Sequence, residues 1–150
     1  MSTTLKIKIA IDVLMTLCWL LTMPYKLTGN LVHEYAGMLL FSLFIIHTLL
    51  NWRWYAALTK GSYNKRRLLS TAVNLLLLVC VLAAFATVPI ISRSVCTLFN
   101  SGLDKMARKP WQGVHKVFAR AGFWLMLVHL LLHGQLLKNT FIRTKEKPQA

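Results

Sequence analysis

The stretch Leu31 to Trp54, LVHEYAGMLLFSLFIIHTLLNWRW, is an apolar run interrupted by His33 near its start and by His47 fourteen residues later. At about 100° per residue, fourteen steps fall within roughly 40° of a whole number of turns, so on a helix both imidazoles leave the same face. A rise of about 1.5 Å per residue sets them about 21 Å apart along the axis. The arrangement recurs once: His115 and His129, also fourteen apart, lie in VHKVFARAGFWLMLVHLLLHG. Two helices carrying two histidines at matching depths can ligate two stacked haems, each iron held by one imidazole from either helix. The pattern therefore predicts an all-α membrane cytochrome of the b type.

Composition narrows the class in the same direction. Of 150 residues, 56% are hydrophobic, the mean hydropathy is +0.53, and four acidic residues (Asp12, Glu34, Asp104, Glu146) stand against eighteen Lys and Arg. Charged residues make up 15%, against about 25% in soluble domains, and the apolar blocks are long enough to cross a lipid bilayer. The net charge of +14 does not point to nucleic acid, because the cations sit at the ends of apolar spans and not along one polar face. The cysteines are Cys18, Cys80 and Cys96, with no CxxC or CxxCH. Covalent c-type attachment, an iron–sulfur cluster and a Cys-rich zinc site are thereby excluded. Cys18 and Cys80 read as small buried hydrophobes, and Cys96 as unpaired.

Four spans follow, at residues 7–23, 31–52, 68–91 and 113–137, with a basic tail over 138–150 that is disordered beyond about Arg143. They predict an integral membrane four-helix bundle in one domain. Lys6 and Lys8 precede the first span as in a signal peptide, but no small-x-small cleavage site follows, so it is kept as a helix. Asp12 inside it is either a carboxylate close enough to the interface to stay hydrated or pair with Lys8 at i−4, or a proton-handling group. Pro24 and Thr28-Gly29-Asn30 separate the first two spans, with Asn30 placed to cap the second. Asn51-Trp52-Arg53-Trp54-Tyr55 forms an interfacial belt. The third span lacks histidine, and its Asn74 suits an amide that bonds a neighbouring helix. Pro110-Trp111-Gln112-Gly113 marks the start of the fourth.

Cation counting fixes an orientation. The N-terminus, the second connection and the tail hold eleven Lys and Arg, whereas the first and third connections hold five, or seven with Lys116 and Arg120. The positive-inside bias puts both termini in the cytoplasm. Helices two and four then run in the same direction, with haems between them: His33 level with His115 on the outer side, His47 level with His129 deeper.

All five histidines lie on these two helices. His133 is the surplus one, eighteen residues or five turns after His115, with Asn51 in the corresponding place of helix two. It is an alternative inner ligand, a partner of a haem propionate, or part of a quinone or proton site; the matched spacing favours His129 as the ligand. Gly122, seven residues from both His115 and His129, leaves room for a macrocycle edge, although a membrane glycine is also commonly a close helix contact. Arg93, Lys116 and Arg120 at the outer level can neutralise propionates. Interface anchoring explains Arg93 and Lys116 equally well, while the deeper Arg120 calls for Glu34 or a propionate. Bis-histidine ligation closes both axial positions and favours electron transfer, which needs no catalytic side chain. Two other readings share these residues: a ferric or other metal reductase on the same scaffold, and a His-lined metal or proton transporter, which would need carboxylates near the histidines where only Glu34 is at hand.

HEYAGMLLFSLFIIHTLLNWRWY, the preceding LTGN, the basic KGSYNKRRLL segment and the FWLMLVHLLLHG block, in this order and spacing, resemble the flavinylation-associated cytochrome family of small bacterial four-helix membrane proteins. The resemblance covers roughly residues 9 to 138. It implies two haem b groups ligated by His33, His47, His115 and His129, with His133 matching the family's second histidine in the HLxLH segment. It further implies electron transfer across the bacterial cytoplasmic membrane, from quinol or another inner donor to an extracytoplasmic flavoprotein with covalently attached FMN. That acceptor would be another chain.

Overall fold

Prolines and short polar caps set the helix limits. In the computed structural model, which describes residues 3–94 and 104–145 and side chains as far as residue 134, the elements are α1 (Thr3–Thr22), α2 (Tyr25–Leu50), α3 (Trp52–Ala56), α4 (Lys65–Ala86), α5 (Val88–Ile91) and α6 (Lys105–Lys145). No strand occurs among the described residues. Cys96 and the end of the tail, 146–150, lie outside them.

Pro24 follows α1 after a single residue, Met23, and cannot continue its hydrogen-bond ladder. Gly29 (φ 75°, ψ 177°) kinks α2 near its start, a left-handed conformation that favours glycine. Asn64 caps α4 by accepting from the Arg67 N–H at 2.8 Å, and Asp104 does the same for α6 with Ala107 at 2.8 Å. Several boundaries differ from those read in the sequence, and α6 runs on to Lys145 through the stretch read as a tail after residue 137. The Asp104 cap starts α6 eight residues before Gly113, so Pro110 lies inside the helix and does not open it. Asn30 does not cap: its side-chain oxygen accepts from Tyr25 Oη, and its amide donates to Glu34 at 3.0 Å and Ser94 at 2.9 Å.

Three helical segments, Tyr25–Leu50, Lys65–Ile91 and Lys105–Gly134, are long and apolar enough to cross a membrane. At 20 residues, or about 30 Å, α1 has the length as well, but it carries Lys6, Lys8 and Asp12 in its first half. Large apolar side chains such as Leu17, Leu39, Leu76, Val117 and Trp124 face outward, an arrangement that suits lipid and not water.

Side-chain bonds set the helix register. Asp12 meets His47 and the Thr22 carbonyl meets His33, so α1 and α2 run antiparallel. Asn74 meets His129 and the Ala84 carbonyl meets His115, which fixes α4 and α6 in the same way. The buried core draws on both pairs: Cys18 and Trp19 of α1, Leu40 of α2, Val81 of α4 and Met126 of α6. The Phe41 and Phe85 rings stack at 4.4 Å between α2 and α4. Leu40 is seven residues from both His33 and His47, so this packed layer lies midway between the two histidine levels.

Candidate two-level histidine site

At the first level the His33 and His115 rings face each other with centroids 6.1 Å apart and planes 73° apart. Two metal–nitrogen bonds of about 2.0 Å plus the inner halves of two five-membered rings come to about 6 Å. Both rings are held from behind. His33 Nδ1 donates to the Thr22 carbonyl at 2.9 Å, and His115 Nδ1 donates to the Ala84 carbonyl at 3.0 Å, with Thr87 Oγ1 also at 3.0 Å. A carbonyl only accepts, so Nδ1 carries the proton and Nε2 keeps its lone pair for another partner. These carbonyls are within reach because both helices end there: the last turn of a helix leaves its C=O groups without the usual intrahelical partners, Pro24 terminates α1, and α4 gives way at Thr87 to α5 with its Pro89, the Thr87 N–H still reaching the Ala84 oxygen at 3.3 Å. Thr87, 2% exposed, donates its own hydroxyl to the Ala84 carbonyl and braces it.

The two rings open into a cavity of about 810 Å³ lined by Trp19, Gly37, Ala84 and Ala119 among others, with Lys26, Arg93, Lys116 and Arg120 on its walls. That volume is in the range of sites for sizeable cofactors.

The second level repeats the plan with different materials. His47 Nδ1 lies 2.7 Å from Asp12 Oδ1, and His129 Nδ1 lies 2.8 Å from Asn74 Oδ1. Asp12 and Asn74 sit in helix interiors, where backbone carbonyls are already committed, so a side chain has to supply the acceptor. Asp12 precedes Thr22 by ten residues and Asn74 precedes Ala84 by ten. Ten residues rise about 15 Å; side chains lean toward the helix N-terminus while carbonyls point toward the C-terminus, which accounts for the rest of the roughly 21 Å between ligand levels. The α1/α2 and α4/α6 pairs thus each contain the same unit: a packing helix with two acceptors and a partner helix with two histidines.

His129 lies in the electrostatic reach of His133, His47 and Asp12. The His133 ring stands 4.4 Å from that of His129 at 41°, and its Nε2 and the Thr48 hydroxyl are buried polar atoms without a hydrogen-bond partner. Asn51 closes the end of α2: its amide donates to the His47 carbonyl at 2.9 Å with a long 3.5 Å approach to His47 Nε2, and its oxygen accepts from Lys8 Nζ at 2.9 Å.

Two readings of single residues change, those of Asp12 and Gly122. Asp12 does not pair with Lys8 one turn back; Lys8 reaches the C-terminus of α2, where the helix dipole favours a cation, and leaves the carboxylate to His47. Gly122 does not leave open space: a Cβ there would lie 3.1 Å from Trp19 Cζ2 and 3.4 Å from Cys80 Cβ, so the glycine admits the indole of α1. Glu34 accepts from Ser92 Oγ and from the N–H groups of Arg93 and Ser94 at 2.8–2.9 Å in the turn after α5, and both Glu34 and Arg120 line the cavity.

No protein-family model, curated protein or solved structure matches the chain. What the site can do is therefore argued from its donors. Among the described residues no group of three or more His, Cys, Asp or Glu side chains is placed to hold a metal ion; at the first level two imidazoles face each other, and at the second the His133 ring stands beside that of His129. Paired axial donors of this kind fit a metal whose remaining positions are filled by a macrocycle, and fit poorly to a tetrahedral protein-only site.

Proposed function

We propose that this chain is a membrane-embedded four-helix di-haem b cytochrome of the flavinylation-associated type, with both termini cytoplasmic, carrying electrons across the bacterial cytoplasmic membrane from quinol or another inner donor to an extracytoplasmic flavoprotein. The observation that carries this reading is the outer pair: two imidazoles 6.1 Å apart that line a large cavity, each with Nδ1 engaged by a backbone carbonyl, which leaves Nε2 its lone pair. His33 with His115, and His47 with His129, would hold the two groups. Arg93, Lys116 and Arg120 would take the propionate charges of the outer one. Haem b held by two histidines would supply reversible one-electron chemistry in preference to oxygen binding.

The protein's own part is to fix positions and exclude water. Thr22, Ala84, Asp12 and Asn74 lock the imidazole tautomers and ring directions, as partners of metal-bound histidines commonly do. Trp19, Leu40, Val81 and Met126 hold the two levels apart and keep the middle dry. His133 Nε2, on the ring beside His129, is a polar atom that a group bound at the inner level would satisfy.

Transmembrane transfer is testable with sealed proteoliposomes holding ferricyanide inside and given dithionite outside. The trapped ferricyanide should bleach much faster than in protein-free vesicles. Equal rates would remove the electron-carrier reading.

A further inference from the structure

Of the four groups that orient the paired histidines, three are neutral and one is an anion. The Thr22 and Ala84 carbonyls and the Asn74 amide oxygen hold His33, His115 and His129, whereas the Asp12 carboxylate holds His47 at 2.7 Å. Lys8, the cation one turn away on the same helix, is bonded to Asn51 instead. A carboxylate that accepts the Nδ1 proton pushes electron density through the ring to Nε2 and raises the basicity of the ligand. A more basic axial ligand stabilises the more positive oxidation state of the iron and so lowers its potential.

We infer that Asp12 is a positioning residue that poises the inner haem site at lower potential than the outer one, making the inner level the stronger reductant of the two. This rests on the haem reading proposed above. The downhill direction is then from the cytoplasmic level to the outer level, in the sense required for delivery to an extracytoplasmic acceptor. The cations Arg93, Lys116 and Arg120 at the outer cavity act in the same sense, raising the potential there.

The test is a spectroscopic redox titration of the purified holoprotein, compared with Asp12→Asn and Asp12→Glu. Asparagine keeps an acceptor oxygen and the side-chain size but removes the charge; glutamate keeps the charge. The wild type should titrate in two waves. In Asp12→Asn the lower wave should rise by a tenfold change or more in the ratio of ferric to ferrous stability, about 59 mV for a one-electron couple, with the upper wave unmoved. Asp12→Glu should stay near the wild type. Two unmoved waves in Asp12→Asn, equal movement of both waves, or the same shift in Asp12→Glu would overturn the assignment. So would loss of one haem from both variants, which would show a requirement for shape alone. In parallel, ¹⁵N spectra of histidine-labelled protein without haem should place the His47 proton on Nδ1 in the wild type and show that resonance displaced in Asp12→Asn; an undisplaced resonance also counts against the contact. A wild-type protein that binds no haem at all fails a different claim, that of the cofactor itself, and is told apart from failure of the Asp12 role by the count of haem per chain.

Discussion

The outer and inner histidine levels meet the same requirement, an acceptor behind each Nδ1, by opposite means. At the outer level the acceptors are backbone carbonyls released where α1 and α4 end; at the inner level they are the side chains of Asp12 and Asn74 in helix interiors. A helix offers unpaired carbonyls only in its last turn, so a site at that depth needs no special side chain, whereas a site two or three turns further in needs one. The outer support thus resists point substitution, while the inner support is exposed to it and open to tuning by charge.

The largest effects should come from the histidines themselves. Replacing His33 or His115 with Leu should remove the outer haem and leave the inner one, and replacing His47 or His129 should do the converse, as read by haem stoichiometry and by which wave survives in a redox titration. Retention of the inner haem in His129→Leu together with its loss in His133→Leu would move the inner ligand one turn along α6. Next in size are the orienters. Asn74→Ala should weaken retention of the inner haem by about 10- to 100-fold, the usual consequence of losing a partner of a metal-bound histidine, measured as haem loss to apomyoglobin. Smallest is Thr87→Val, which keeps the shape of a buried residue and leaves the Ala84 carbonyl in place; outer haem retention should change by less than about tenfold. A larger effect in Thr87→Val than in Asn74→Ala would break the contrast between backbone and side-chain support.

Much of this plan is legible in the sequence, and the parts that are not have physical causes. The fourteen-residue spacings place His33 with His47, and His115 with His129, because helical periodicity alone fixes which face a residue takes. Asn74 stands out as a lone amide in an apolar span, so its need for a partner on another helix can be read directly. The partner of Asp12 cannot, because Lys8 lies at the favourable i−4 spacing and only the packing of α1 on α2 shows that the lysine is drawn to the end of α2. Nor can the occupant of the space over Gly122, since a missing side chain does not say whether a ligand or the Trp19 indole of another helix will fill it. The Thr22 and Ala84 acceptors are backbone atoms and have no residue signature. What signals them is the helix end marked by the proline just beyond each, Pro24 and Pro89.

The claim on which the comparison depends is that each level holds a haem, and the most direct measurement is the dithionite-reduced spectrum and pyridine haemochrome assay of the protein purified from haem-replete cells. The account predicts a red protein with a b-type spectrum and two haems per chain. A folded, monodisperse and colourless protein would contradict it.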